Sequence, residues 1–439
     1  MNGSSLPRWI RAIAAVSASS ILLATGCTNG TAFVYSSTQN AGNFSNTIFI
    51  GDSLTAGYQN GSLCDKFQPN GWAPLVAKQA GFTIVQPLIA PPGAPNYITL
   101  VSVGPPPVSG TATGTTTGRD NFAIQPTDLA VPGANVQDAI STVPVLNPTA
   151  GQQQITQLVL GYPGFGEGVA LSQMQQAIRA QPTTIFLWIG NNDALIADIA
   201  GTPAAMTSVA NFTQQYQSLV GQLTANNSVH LVIANIPDVT LVPYLTPAAT
   251  LLAQYSAATS IPQATLSTMF GISAGDLVNP SGLAQISAIL GGTQHTTISD
   301  AGFLSAAEVV TVRAQVTAYN QVITSTANAI GATLVDINAL FATTAANGIV
   351  INGVTANFSF LGGLFSMDGI HPTNTGYALL ANKFIDAMNA QLKTSIADVS
   401  LSAVATTDPL FGVNIGHIPF AVVSPAADHA IRQTMLPSP

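Results

Sequence analysis

Charge is what this sequence has least of: Asp, Glu, Lys and Arg make up 6% of its 439 residues, against roughly a quarter in an average soluble protein. With 10 basic residues against 18 acidic ones, it lacks the clustered Lys and Arg on which nucleic-acid binding rests, and that class of partner is excluded. Long hydrophobic runs are missing as well. Apolar residues reach 47%, which raises the question of a membrane protein, yet beyond residue 26 no run of about 18 consecutive apolar residues occurs. Much of the excess is Ala, and Ser, Thr, Asn and Gln stand where charge would normally be, so the chain reads as soluble with a neutral polar surface. Cysteine is down to Cys27 and Cys64, too few for a disulfide framework. Nothing beside Cys64 (Leu63, Asp65) would activate its thiol, which reads as quiet and partly buried. No repeat of fixed period is evident.

The N-terminus has the layout of a targeting segment. Arg8 and Arg11 supply a basic region, Ile10 to Leu23 an apolar stretch, and Ala24-Thr25-Gly26-Cys27 a small-residue cleavage site. The cysteine after Gly26 resembles a bacterial lipobox, with Ala24 where Leu is more usual. That implies cleavage before Cys27 and acylation of its thiol, with ordinary secretion as the alternative. Removing residues 1–26 takes away two arginines and no acid, leaving 8 basic and 18 acidic residues and a net charge of −10.

Residues 27–45 are small and polar, as a tether would be. After them short β-rich runs alternate with helical patterns. Strands are predicted at Thr47–Ile50, Phe82–Gln86, Thr184–Ile189, Val229–Ala234 and Ala332–Ile337, nearly continuously apolar as strands buried on both faces should be. Val209, Phe212, Tyr216, Leu219 and Leu223 keep helical spacing, as do Val309, Val312, Val316, Tyr319, Ile323 and Ile330. The alternation predicts an α/β domain over 46–395 with a mostly parallel sheet covered on both sides. Two segments break the rhythm: 90–125, rich in Gly, Pro and Thr, and 243–297, which reads as a largely helical insertion. Residues 396–439 form a C-terminal extension without a strong period.

Four blocks carry candidate chemistry. Thr47-Ile48-Phe49-Ile50 ends in Gly51-Asp52-Ser53-Leu54, so Ser53 stands where the first strand gives way, at the end of a parallel sheet where ligands bind. It presents a hydroxyl to substrate, or Asp52 or Ser53 merely caps the next helix. Asp128-Leu129-Ala130-Val131-Pro132-Gly133-Ala134-Asn135 offers a glycine with an exposable N–H, or only a turn. Gly190-Asn191-Asn192-Asp193 ends another strand in side-chain amides that could donate to an oxyanion, or serve the turn itself. In Asp368-Gly369-Ile370-His371-Pro372 the acid lies three residues before the imidazole, close enough to hold Nδ1–H while Nε2 faces a serine. Pro372-Thr373-Asn374 opens a helix striped by Tyr377, Leu380, Ala381, Phe384 and Met388. His230 reads as a strand residue, and His295, His417 and His429 as loop residues. Gly271-Ile272-Ser273-Ala274-Gly275 matches a nucleophile-elbow pattern, but the residues before it read as helix or loop, where the elbow requires a strand.

Taken in order, these blocks resemble the GDSL-type, or SGNH, hydrolases. Ser53, Gly133, Asn192 and His371 match the family's four block residues, with Asp368 as the acid, and Ile236-Pro237-Asp238 looks like a further family segment. The resemblance implies a three-layer α/β/α sandwich with a five-stranded, mostly parallel, flavodoxin-like sheet. It also implies hydrolysis of carboxylic esters through an acyl-serine, without metal or organic cofactor. Ser53 would attack, His371 act as base and acid, and Asp368 orient it. The N–H groups of Ser53 and Gly133 and the Asn192 amide would form the oxyanion hole. The expected substrate is a small-molecule, lipid or glycan ester, met outside the cell or at a membrane to which Cys27 is anchored. Polysaccharide deacetylation or acyl transfer by the same site, or a non-catalytic binding lipoprotein, are the alternatives.

Overall fold

Four short runs, Thr47–Gly51 (β1), Thr184–Trp188 (β2), His230–Ala234 (β3) and Thr333–Val335 (β4), pair in parallel in that order. Every residue of β1, β2 and β3 is buried, which is why these strands are apolar at nearly every position instead of alternating. The computed structural model describes residues 42–104, 107–149, 151–226, 228–413 and 422–435. The expected signal segment and Cys27 lie outside them.

The helices that cover the sheet or approach its C-terminal end are Ser53–Ala56 (α1), Trp72–Ala80 (α2), Asn191–Ala200 (α3), Val209–Leu223 (α4), Ala306–Ile330 (α5), Asn374–Leu392 (α6) and Pro425–Met435 (α7). On one face α2 packs against α6, with the Trp72 indole stacked on the Phe384 ring at 3.8 Å. Beneath them lie Phe49 and Phe186, register partners across β1 and β2 whose rings stack at 4.7 Å. On the other face α4 packs against α5, with Phe212 stacked on Tyr319 at 4.1 Å. The result is the expected α/β/α layering. Both striped helices fall where their periodicity places them, because each stripe, apart from the exposed Val209, is the buried face.

The fifth strand differs from expectation. Phe82–Gln86 forms no strand. The far edge of β1 is instead occupied by residues 127–131, through a single parallel bridge between Phe49 and Asp128 and the bonds Phe49 N–H to Thr127 O and Leu129 N–H to Phe49 O. Pro126 and Pro132 bracket this segment, and a residue without an N–H cannot extend a ladder. Residues 82–86 lie one position further out, where Thr127 N–H donates to Val85 O.

The two irregular segments are folded additions. Segment 90–125 contains an antiparallel hairpin, Ile98–Ser102 with Val108–Thr111. Segment 243–297 contains helices Ala248–Thr259, Gln263–Phe270 and Pro280–Leu290 around an apolar cluster of its own, including Leu251, Leu266, Phe270 and Ile286. Among the described residues no helix is long and apolar enough to cross a membrane. The tail, aperiodic in sequence, nevertheless forms Leu401–Thr407 and α7.

One buried carboxyl on the β1 edge has a measurable consequence. Burial pushes Asp128 up to about 7, opposed in part by the Ala130 N–H and the Gln86 amide. A carboxyl raised in the folded state contributes stability that is fully present below its unfolded value, near pH 4, and lost as pH rises through 7. Asp128→Asn is therefore expected to raise stability at pH 8, by on the order of a few kcal/mol, and to flatten the decline between pH 4 and 8. Urea melts at pH 5 and 8 check this; an unchanged pH dependence would contradict it.

Candidate active site

The end of β1 is built for close approach. A side chain at Gly51 would lie 2.7 Å from the Trp188 carbonyl oxygen, so only glycine fits where β1 meets the end of β2. Asp52 then caps α1, its Oδ1 accepting the Leu54 N–H at 3.0 Å, while Oδ2 accepts from the Asn191 side-chain amide at 2.8 Å. The capping reading of this block holds for Asp52, and the cap is what sets Ser53 in the first turn at the carboxyl end of the sheet. Burial pushes Asp52 up to about 6, against the pull of the Asn191 and Leu54 hydrogen bonds and of the nearby His371 charge.

Two further blocks meet at the same end. Val131 N–H donates to Gly51 O, bringing the Gly133 turn beside β1, with Gly133 at φ +82, a conformation that favours glycine. Asn192 sits in the first turn of α3 and donates its amide to Ala134 O at 2.8 Å, and Asp193 Oδ2 accepts from Val136 N–H at 3.0 Å. These bonds hold the Gly133 and Asn192 blocks together.

Asp368 is saturated with donors. Its Oδ1 accepts the N–H groups of Ile370 and His371 at 2.9 and 2.8 Å, and its Oδ2 accepts the Gly61 N–H at 2.7 Å and His371 Nδ1 at 3.1 Å. A carboxylate only accepts, so Nδ1 carries a proton, and in the neutral ring Nε2 is the nitrogen with the lone pair. Nε2 is buried and without a hydrogen-bond partner among the described residues. Burial pulls the Asp368 carboxyl upward, but the His371 charge and these hydrogen bonds outweigh it and hold it below the ordinary carboxylate range.

Residues 58–61, which sequence reasoning did not single out, join the two ends of the chain. Asn60 Oδ1 accepts the Met367 N–H, Asn60 N–H donates to Ser366 Oγ, and Gly61 N–H holds Asp368. The Tyr377 hydroxyl of α6 donates to Tyr58 O, and the Tyr58 ring lies 4.6 Å from the imidazole. Asn60-Gly61 signals a turn in sequence; nothing in its spacing points to a loop three hundred residues away. The described residues thus show a carboxylate–imidazole pair at Asp368 and His371, while Ser53 Oγ and His371 Nε2 make no hydrogen bond to each other. Among the described residues no three His, Cys, Asp or Glu side chains converge as a metal site requires.

The sequence profile described as GDSL-like Lipase/Acylhydrolase matches residues 48–384. The chain belongs to that family. As a GDSL-like acylhydrolase it is a hydrolase acting on esters. No curated protein matches it. Solved structures similar to it include a protein described as a GDSL-like lipase from Parabacteroides merdae, 10% identical, covering 80% of this chain and 98% of its own, with a TM-score of 0.35. A mutant of an acetyl-xylooligosaccharide esterase from Geobacillus Stearmophilus is 13% identical, covering 82% and 98%, at 0.35. An alpha/beta hydrolase from the metagenome of Lake Arreo is 13% identical, covering 79% and 96%, at 0.34.

The remaining candidates of this acylhydrolase lie elsewhere. Ser273 is exposed in a turn after helix Gln263–Phe270, its N–H bonded to Asp276 Oδ2 at 2.7 Å, and no strand precedes it. Cys64 is fully buried and its thiol is pushed up to about 11 by burial. His230 stands in β3 against the Thr333 hydroxyl at 2.9 Å. His295 is exposed, and His417 lies outside the described residues. His429, expected in a loop, is on the exposed face of α7.

Proposed function

We propose that the chain cleaves carboxylic esters through an acyl-enzyme on Ser53. His371 Nε2 takes the hydroxyl proton as Oγ attacks the carbonyl carbon, and returns it to the departing alcohol. Asp368 fixes the tautomer and stabilises the imidazolium. The N–H groups of Ser53 and Gly133 and the Asn192 amide receive the negative charge of the tetrahedral intermediate. Water then releases the acid by the same steps in reverse. The observation that carries this reading is the buried His371 Nε2 left free while Nδ1 is held by a carboxylate with every lone pair directed at a donor. A fluorophosphonate probe followed by peptide mapping tests it: the adduct is expected on Ser53, and an adduct elsewhere, or none on folded protein, overturns it.

A second reading, deacylation of a glycan, is favoured by a cavity of about 430 Å³ lined by Asn96, Thr111, Thr115, Thr116 and Gln154, uncharged groups suited to hydroxyl-rich ligands. Its wall includes Ile98 and Ala430, the side chains nearest Gly61. Acetylated oligosaccharides assayed beside esters of increasing acyl length separate the readings: a preference for long acyl chains rejects the glycan.

The reading includes export, with Cys27 as a lipid anchor. Cys27→Ser is expected to abolish incorporation of labelled fatty acid and release the protein from membranes; unchanged membrane association would reject the anchor.

A further inference from the structure

The groups assigned to catalysis are covered by the chain's own C-terminus. Ser53 is 3% exposed, Asn192 8% and His371 0%, so little of the site faces solvent. The covering element is α7. Its inner face consists of Ala427, Ala430, Ile431, Thr434 and Met435, all buried, and this face runs along the backbone of the site. Val423, just before the helix, closes on Gly369, between Asp368 and His371, so that a side chain there would collide with it. Ala430 Cβ stands 3.1 Å from where a Gly61 side chain would begin. Over Gly133 lies the Thr434 carbonyl, leaving no space for a side chain, and the Thr434 hydroxyl is 3.0 Å from that of Tyr58, the ring beside the imidazole. Three points of the site, the acid–base loop, its clamp and the glycine turn, thus touch residues 423–434.

The way α7 is held is suited to release. Two of the five buried side chains are alanines, and each buries little apolar area, so the hold of the inner face rests mainly on Ile431 and Met435. The outer hold is a polar latch. Arg432 Nε donates to both oxygens of Asp428 at 3.0 and 2.9 Å, its Nη2 to Ile199 O at 3.0 Å, and the Tyr244 hydroxyl donates to Asp428 at 2.6 Å. The Arg432–Asp428 pair lies within α7 and orients the two groups, so the tie to the body is the bonds to Ile199 O and from Tyr244, with the Arg432 side chain 30% exposed. The other side of α7, through Ala426, His429 and Gln433, walls the polar cavity described above.

We propose that α7 is an autoinhibitory plug, so that the full-length chain is latent and its site opens when residues 422–435 are displaced or cut away. This rests on the assignment of Ser53 as nucleophile. Fluorophosphonate labelling of three proteins tests it: the full chain, a chain ending at Val413, and full-length Arg432→Ala, which removes the bond to Ile199 O with the plug still present. Circular dichroism and melts establish folding. Fluorophosphonate labelling is expected to be about tenfold faster or more in the truncated chain, the ratio set by the fraction of time the plug is open, with Arg432→Ala between the two. Equal or slower labelling of folded truncated protein overturns the plug. Should the truncated chain fail to fold, Arg432→Ala decides, and a rate equal to wild type overturns it. Access is read independently of catalysis by alkylating the thiol in a Ser53→Cys background. If no protein reacts with fluorophosphonate, the serine assignment falls, while faster alkylation without the plug still supports occlusion and equal alkylation rejects it.

Discussion

Ser53→Ala is expected to lower ester turnover by roughly four to six orders of magnitude while leaving the melting curve unchanged. The two halves of this expectation have separate physical origins. The rate falls because the hydroxyl is the group that forms the acyl bond, and no neighbouring oxygen can take its place: Asp52, next to it, has its carboxylate bound to Leu54 N–H and the Asn191 amide. Stability stays because the cap of α1 belongs to Asp52, and the role of residue 53 in the local fold is its carbonyl, which accepts the Tyr58 N–H at 3.0 Å whatever the side chain. The matched control is Ser273→Ala, expected to retain full activity, since that serine is exposed in a turn of the helical insertion. Turnover of Ser53→Ala within tenfold of wild type, or a collapse in Ser273→Ala, would move the nucleophile.

How far the chain could be read before its structure follows from the kind of signal each part carries. β1 to β3 were legible because burial on both faces leaves a run with no polar interruption, and α4 and α5 because each faces the sheet with one stripe. The edge beyond β1 was not. Phe82–Gln86 has the composition of a strand, but Pro126 and Pro132 restrict the competing segment to one bridge, and which of two segments reaches the ladder is a tertiary matter. The C-terminal extension, in which no strong period is evident, contains α7. Its buried positions Ala427, Ala430, Ile431, Thr434 and Met435 do keep helical spacing, but over only 11 residues and with Ala or Thr at three of the five, so the period is short and rests on Ile431 and Met435.

The site divides along the same line. Each block is local: a strand end, a turn, a helix start, and an acid three residues from an imidazole. Their side-chain chemistry could therefore be named. What brings the blocks together is backbone and long-range, in the bonds from residues 58–61 to 366–368 and from Asn192 to Ala134. A glycine N–H that holds a carboxylate has no side-chain signature at all.

That distinction makes Asp368→Asn the second large effect. Every contact to the carboxylate is an N–H donor: Ile370 and His371 on one oxygen, Gly61 and the imidazole on the other. An amide must place its NH₂ at one of these positions. Beside Gly61 and the ring, it opposes a backbone N–H and offers Nδ1 a donor, favouring the tautomer with the proton on Nε2, which can no longer accept from Ser53. Turned round, it confronts the two loop N–H groups. In either orientation a buried donor is left facing a donor, at a cost of about 1–3 kcal/mol per group. Turnover is expected to fall by roughly 10⁴-fold with KM little changed, since the group acts on the base and not on substrate, and the melting temperature to fall with it. The wild-type carboxylate, held below the ordinary range, keeps its contribution above its unfolded value and loses it only as pH falls through the lower folded one. Asp368→Asn should therefore lose stability across the neutral range and converge on wild type in acid. Stability equal to wild type at pH 7, or turnover within tenfold of it, would mean that Asp368 neither anchors the loop nor sets the tautomer.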